Sequence, residues 1–517
     1  MASNYNAIRD DNERRYGTDI GRIGPMLLAD RYDDRTHFIF ELLQNAEDAL
    51  ARRPDRGGQR SVRFHLTDDE LSVSHFGKPF DEADVRGICG IAESTKELTA
   101  IGRFGIGFKS VYAFTERPEV HSGTEDFAIE SFVWPAAAPP VARDHDETII
   151  VIPLKAHGAA DRAEITAGLQ RLGAGTLLFL RQIEEVEWRV EHGPSGLYRR
   201  SQQEDLGDGV RRITVIRQEE GKPEVEEIWL LFSKPVVTVD GISVGHVELA
   251  FSVINDENST RERIGPVARS LLVVFFPTVL ETHLGFLAQG PYRTTPSRDN
   301  VPRHDEWNQH CVQETAGLLV DALRWLRDHS LLDTGTLRTL PLDRAKFGEG
   351  AIFAPLFDAT KQALATEPLL PRFGGGHVAA QGARLARTQE LRELFDPTQL
   401  AALFGNDEEL AWLSGDISQD RTPELRQYLM RELEITEITP EAILSKLDTG
   451  FLEAQADEWI LRLYEFLNGQ AALRLRAAAL PLIRLADGRH VKARENGQPQ
   501  AFLPGVIETG FPTVRKT

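Results

Sequence analysis

Polar side chains on a helix whose other face is apolar pose the first chemical question. In "ELLQNAEDAL" the residues Glu41, Asn45 and Asp48 stand at i, i+4 and i+7, so they share one helix face. Phe38, Leu42, Ala46 and Ala49 recur at helical spacing on another face, which predicts burial. Asparagine is a poor interior helix residue because its amide competes for backbone hydrogen bonds. The polar stripe therefore faces either water or a group that needs an acid and an amide.

A second stretch, "IGRFGIGFKS", places Gly102, Gly105 and Gly107 as G-x-x-G-x-G directly ahead of an expected helix. Glycines let a backbone take positive φ and approach a ligand closely. The free N–H groups and positive dipole end of a helix start attract phosphate. The pattern is not the dinucleotide fingerprint, since the text before it is polar and no tight strand precedes it. Nor is it a P-loop, because no GK[ST] follows the glycines. Alone it reads as a turn feeding a buried helix. Joined to Glu41 and Asn45 it reads differently. A carboxylate to activate water, an amide oxygen to hold Mg²⁺ and a glycine cradle for phosphates are the parts an ATPase requires.

These residues resemble the GHKL ATPases, and within them the sacsin-type N-terminal ATPase region. "ELLQNAEDAL" is similar to the family's N box, and "IGRFGIGFKSVYAFTERPEVHSG" to its second glycine box with the strand that follows. The resemblance covers about residues 15–155 and implies a Bergerat-type α/β sandwich that binds ATP with Mg²⁺. Carried over by position, Glu41 is the general base, Asn45 the metal-binding amide and Asp48 the acid supporting the nucleotide site. Gly102, Arg103, Phe104, Gly105, Ile106, Gly107 and Phe108 form the segment that wraps the phosphates. Ser94, Thr95 and Lys96 resemble a lid anchor, and Thr148 in "ETIIVIPL" matches the threonine near adenine. The usual D-x-G-x-G appears as "SHFGKPF", with His75 at the Asp position, Gly77 retained and Pro79 for the second glycine. That departure bears on base selectivity. "SRD" with Arg298 resembles the loop through which the heat-shock chaperone branch brings an arginine to the γ-phosphate; Arg293 is the alternative.

The surrounding text predicts the elements that hold these groups. "SVRFHLTD" and "ELSVSHFG" alternate as paired strands, "ADVRGICGIAE" reads as a short helix, and "FAIESFVW" and "ETIIVIPLK" as further strands. We expect residues 1–160 to form the ATP-binding domain and 161–335 a second α/β domain. Within the latter, "ITAGLQRLGAGTLLFL" reads as a helix, "SLLVVFFPTV" as a strand and "WNQHCVQETAGLLVDALRWLRDH" as an amphipathic helix. Residues 336–517 read as a helix-rich region, and the abrupt end at "FPTVRKT" suggests a piece of a longer protein.

At 517 residues the chain exceeds what one core supports. A formal charge of −20 argues against broad, sequence-independent nucleic-acid coating. Cys89 and Cys311, the two cysteines, make no metal or disulfide pattern, and Cys89 reads as a core residue. His377 and His490 lack carboxylate or cysteine company. Lys109, just after the glycines, reads as a phosphate contact or a helix-surface lysine. No apolar run approaches the roughly 18 residues of a membrane span, and no signal segment opens the chain, so a cytoplasmic location is expected. The expected partners are nucleotide and a protein client or partner subunit, a second copy of the chain included. Competing readings are a nucleotide sensor with little turnover and a DNA-acting GHKL ATPase.

Overall fold

The computed structural model describes residues 2–21, 23–24, 34–53, 58–91, 107–155, 158–173, 175–238, 240–255, 261–295, 300–405, 409–506 and 510–516. The chain forms two compact units, Met1–Ala322 with Lys346–Leu356, and Leu323–Ala345 with Phe357–Thr517.

The first unit is mixed α/β and carries the candidate site. Helix α1 spans Tyr5–Tyr16 and α2 spans Phe38–Ala51; strands β1 (Ser61–Leu66) and β2 (Glu70–His75) form a hairpin. Helix α3 (Glu82–Cys89), a 3₁₀ segment (Gly107–Ala113) and strands β3 (Glu119–Ser122), β4 (Glu125–Glu130), β5 (Trp134–Ala137) and β6 (Thr148–Pro153) follow. After α4 (Gly158–Gln170) and α5 (Gly175–Leu178) come nine more strands. These are β7 (Glu185–Val190), β8 (Ser195–Gly207), β9 (Val210–Glu219), β10 (Val225–Val237) and β11 (Ser243–Asn255), then β12 (Glu262–Gly265), β13 (Leu271–Val274), β14 (Phe276–Glu281) and β15 (Leu287–Gln289). The fifteen strands make one sheet, ordered β14-β13-β15-β11-β10-β9-β8-β7-β1-β2-β6-β3-β4-β5 with β12 on β11. The join is β1 against β7, parallel, so strands from both sides of residue 160 share that sheet.

Strand alternation sets the buried face. Val62, Phe64 and Leu66 of β1 point inward while Arg63 and His65 are exposed; Leu71, Val73 and His75 of β2 and Ile150 and Ile152 of β6 are also buried. The apolar ones among them form one core with Phe38, Leu42, Leu43, Ala46 and Leu50 of α2. Burial of α2 extends well past its apolar stripe to Glu41, Gln44 and Glu47. The Glu41 side of the stripe is thus not a solvent face.

Three expected elements divide, each at a local backbone feature. "FAIESFVW" breaks between β4 and β5 where Ser131 and Phe132 take φ of 44° and 76°. "SLLVVFFPTV" breaks between β13 and β14 at Phe275, φ 63°. "ITAGLQRLGAGTLLFL" separates into α4 and α5 around its glycines. The expected amphipathic helix runs Glu306–Asp328.

The second unit holds short helices around a three-stranded sheet of Ala383–Ala386, Ala411–Trp412 and Glu437–Ile438, with Leu391, Phe395, Trp412, Ile460 and Leu463 in its core. His377 and His490 sit in two similar hairpins, opposite Pro371 and Arg484. Among the described residues no helix is long and apolar enough to cross a membrane.

Candidate functional site

Helix α2 delivers Glu41 to a buried position, 7% exposed. Its Oε1 lies 3.2 Å from Nε2 of His37, one turn earlier, which holds the carboxylate from one side. On the other side is Gly107: a Cβ there would stand 1.9 Å from Glu41 Oε2. The glycine backbone therefore rests directly on the acid, an approach no residue with a side chain permits. The two sequence boxes meet at this contact. Asn45 and Asp48, farther along the same helix, are half-buried.

A polar row closes the strand ends. His75, Thr148 and Ser122 are cross-strand neighbours on β2, β6 and β3, all at most 2% exposed. The Ser122 and Thr148 hydroxyls are 2.6 Å apart, and the Phe80 N–H donates to Ser122 Oγ. The Gly77 N–H donates to His75 Nδ1 at 3.1 Å. These bonds pin the "HFGKPF" turn, which packs against the end of α2: the Lys78 N–H donates to the Ala49 carbonyl, and a Cβ on Gly77 would lie 2.4 Å from Ala49 Cβ. Because Nδ1 of His75 accepts, the neutral ring carries its proton on Nε2 and is a donor there.

Burial, helped by the nearby Arg52 guanidinium, pushes the His75 pKa down from 6.5 to about 4. A depressed histidine pKa means the unfolded chain takes up protons first as pH falls. The stability from neutral His75 is then complete above about pH 6.5 and drains as pH drops toward 4. At pH 5 the loss should be about 2 kcal/mol. In His75→Asn, Oδ1 takes over acceptance from Gly77 and this pH slope should flatten; urea unfolding at pH 5 and 7.5 measures it, and identical slopes would contradict the assignment.

The other sequence-predicted residues have different fates. Ser94, Thr95, Lys96, Gly102, Arg103, Phe104, Gly105, Ile106 and Arg298 lie outside the described residues. Arg293 is exposed and paired with Asp305 at 3.2 Å. The helix expected after the glycines is a 3₁₀ segment. Phe108, Lys109, Ser110, Val111 and Tyr112 are all buried within it. Lys109 neither reaches the surface nor faces the Glu41 carboxylate. Its Nζ is buried and donates to the carbonyls of Ile88 (2.8 Å) and Phe132 (2.6 Å), and burial lowers its pKa to about 8. Cys89 is a free, buried thiol, with its pKa raised to about 12 by the same apolar setting.

Sequence reasoning missed His37, whose spacing one turn before Glu41 was a readable signal, and Glu47. The Glu47 carboxylate accepts the backbone N–H groups of Arg181 (2.6 Å), Gln182 (2.9 Å) and Ile183 (2.9 Å). No local pattern announces an acid whose partners are distant main-chain amides.

With a helix acid seated on a glycine backbone over a mixed α/β sheet, the similarities to known proteins become interpretable. The family profile described as the Sacsin domain matches residues 70–130, from β2 to the end of β4. "Protein NO VEIN" of Arabidopsis thaliana is 26% identical over 339 residues, 59% of this chain and 12% of that protein. "Chaperone protein HtpG" of Sulfurovum sp. is 25% identical over 183 residues, 28% of each chain. Human "Sacsin" is 33% identical over 115 residues, 20% of this chain and 2% of sacsin. The chain thus spans well under two thirds of these relatives. Together the matches support a relationship to sacsin- and HtpG-type proteins.

Proposed function

We propose that the chain is a GHKL-type, Mg²⁺-dependent ATPase module whose nucleotide cycle drives chaperone-like or scaffold-like remodelling of a larger assembly. The observation that carries this reading is the Glu41 carboxylate against the Gly107 backbone. In it, residues 1–160 form the nucleotide domain and 161–335 a neighbouring α/β domain that supplies a sensor arginine, Arg298 or Arg293. The HtpG and sacsin similarities support the chaperone part of the reading.

The donor set fits the ligands. Mg²⁺ prefers hard oxygens and needs few from protein, and Asn45 offers an amide oxygen on the helix that also carries Glu41. When bound, Mg²⁺ would neutralise phosphate charge. Glu41 would take the proton of the attacking water, oriented by its contact with His37. Glycine-segment amides would hold the phosphates. His75 Nε2–H, a donor where the related box has an acceptor, would face an acceptor on the base, so discrimination of ATP from GTP should be weak.

Titration calorimetry with ATP, ADP and GTP plus Mg²⁺ tests this. Wild type should bind all three, and Asn45→Ala should weaken Mg·ADP binding on the order of 10- to 100-fold. Metal-independent binding equal in both proteins would refute the Asn45 role, and no binding at all would refute the function.

A further inference from the structure

Helix α2 holds a further acid beside Glu41 and Asp48, and its contacts lead away from the nucleotide site. Glu47 is 5% exposed, and its carboxylate caps three successive amides of the loop before β7. Burial raises its pKa, against the opposing pull of those N–H groups. Arg200 grips the same loop from its carbonyl side, donating to Leu180 (3.0 Å) and to Ile183. The loop is therefore clamped between an anion and a cation.

From the clamped loop a chain of charge-assisted bonds continues. Arg181 Nη2 donates to Glu248 Oε1 at 2.7 Å, an oxygen also contacted by Arg211 and Ser233. Glu248 is fully buried, so its ligation is obligatory. Its other oxygen accepts from Gln289 Nε2 at 3.0 Å, and Gln289 Oε1 accepts the Phe275 N–H at 3.2 Å. Phe275 is the positive-φ corner between β13 and β14, and Gln289 ends β15, a few residues ahead of Arg293. Helix α2 reaches the same corner directly: the Phe40 and Phe276 rings lie 5.2 Å apart. One rigid helix thus touches that corner both by an aromatic contact and by a polar relay.

We propose that Glu47 is a positioning residue that couples the nucleotide helix to the Phe275–Arg293 corner through Arg181, Glu248 and Gln289. The coupling rests on the nucleotide reading for its trigger, whereas the relay itself rests on the contacts from Glu47 to Phe275. Glutamine at position 47 retains one acceptor oxygen and turns an NH₂ toward amides that donate, so it breaks the clamp with little change in volume.

Hydrogen–deuterium exchange on the full chain, with and without Mg·ADP, tests the inference. Without nucleotide, Glu47→Gln should speed exchange about tenfold at residues 181–183 and also at Phe275. Glu248→Gln should speed it at Phe275 and spare 181–183, which separates a directed relay from general loosening. With Mg·ADP, wild type should gain protection at both places. Glu47→Gln should keep its ADP affinity within about threefold yet lose the gain at Phe275, and its ATP turnover should fall through kcat rather than KM. Unchanged Phe275 exchange in Glu47→Gln, or a uniform rise across the sheet, overturns the relay. A wild type that binds no nucleotide while the nucleotide-free pattern holds would overturn the functional reading and leave the relay standing.

Discussion

Glu41→Gln is expected to reduce ATP hydrolysis on the order of 10²- to 10⁴-fold while leaving nucleotide binding intact. Glutamine has nearly the shape of glutamate and keeps an oxygen beside His37, so the helix and its packing are undisturbed. What disappears is the basic site that would accept a proton from water. Phosphate-release kinetics and equilibrium binding on the same preparation measure both halves. Loss of binding in parallel with turnover would recast Glu41 as a structural acid. Turnover unaffected by the change would remove it from the chemistry altogether, and a wild type that binds without turning over would mark a sensor.

Adding one methyl group at either of two glycines should separate activity from stability. In Gly107→Ala the new Cβ meets the Glu41 carboxylate, Oε2 at 1.9 Å and Cδ at 2.7 Å. The end of a side chain can swing away, so the fold should survive with Glu41 displaced and hydrolysis largely lost. In Gly77→Ala the Cβ meets backbone, with Ala49 C at 2.7 Å and Leu50 N at 2.9 Å. Helix α2 cannot step aside without disturbing the core around Ala46 and Leu50, so a stability loss of about 3 kcal/mol is expected. Thermal and urea unfolding beside a turnover assay distinguish the two. A Gly107→Ala protein with normal turnover would show that Glu41 tolerates displacement, and a Gly77→Ala protein of normal stability would show that the turn is adaptable.

Much of the local structure could be read from residue order. The stripe Phe38, Leu42, Ala46 and Ala49 marked α2, and period-two alternation marked β1 and β2, because side-chain direction repeats with the backbone. Reading was less faithful where a single residue reverses the chain: Ser131, Phe132 and Phe275 adopt positive φ without the glycine that usually announces it. The 3₁₀ segment was not legible, since Phe108 to Tyr112 are buried without a break and no apolar period marks them, while the lysine among them suggested a surface. Lys109 is instead buried because two free carbonyls, Ile88 and Phe132, converge on its ammonium.

Residue order alone determined which side chains share a helix face, which share a strand face, and that an acid, an amide and a glycine cluster occur in an order suited to phosphate chemistry. Folding decided which of them touch. Glu41 on Gly107, His75 beside Thr148, and Glu47 capping the 181–183 amides are all contacts between segments far apart in the chain. The reason is physical. Periodicity reports only how neighbouring residues point, whereas the strength of a buried charge depends on the donors and the low dielectric that distant segments bring to it.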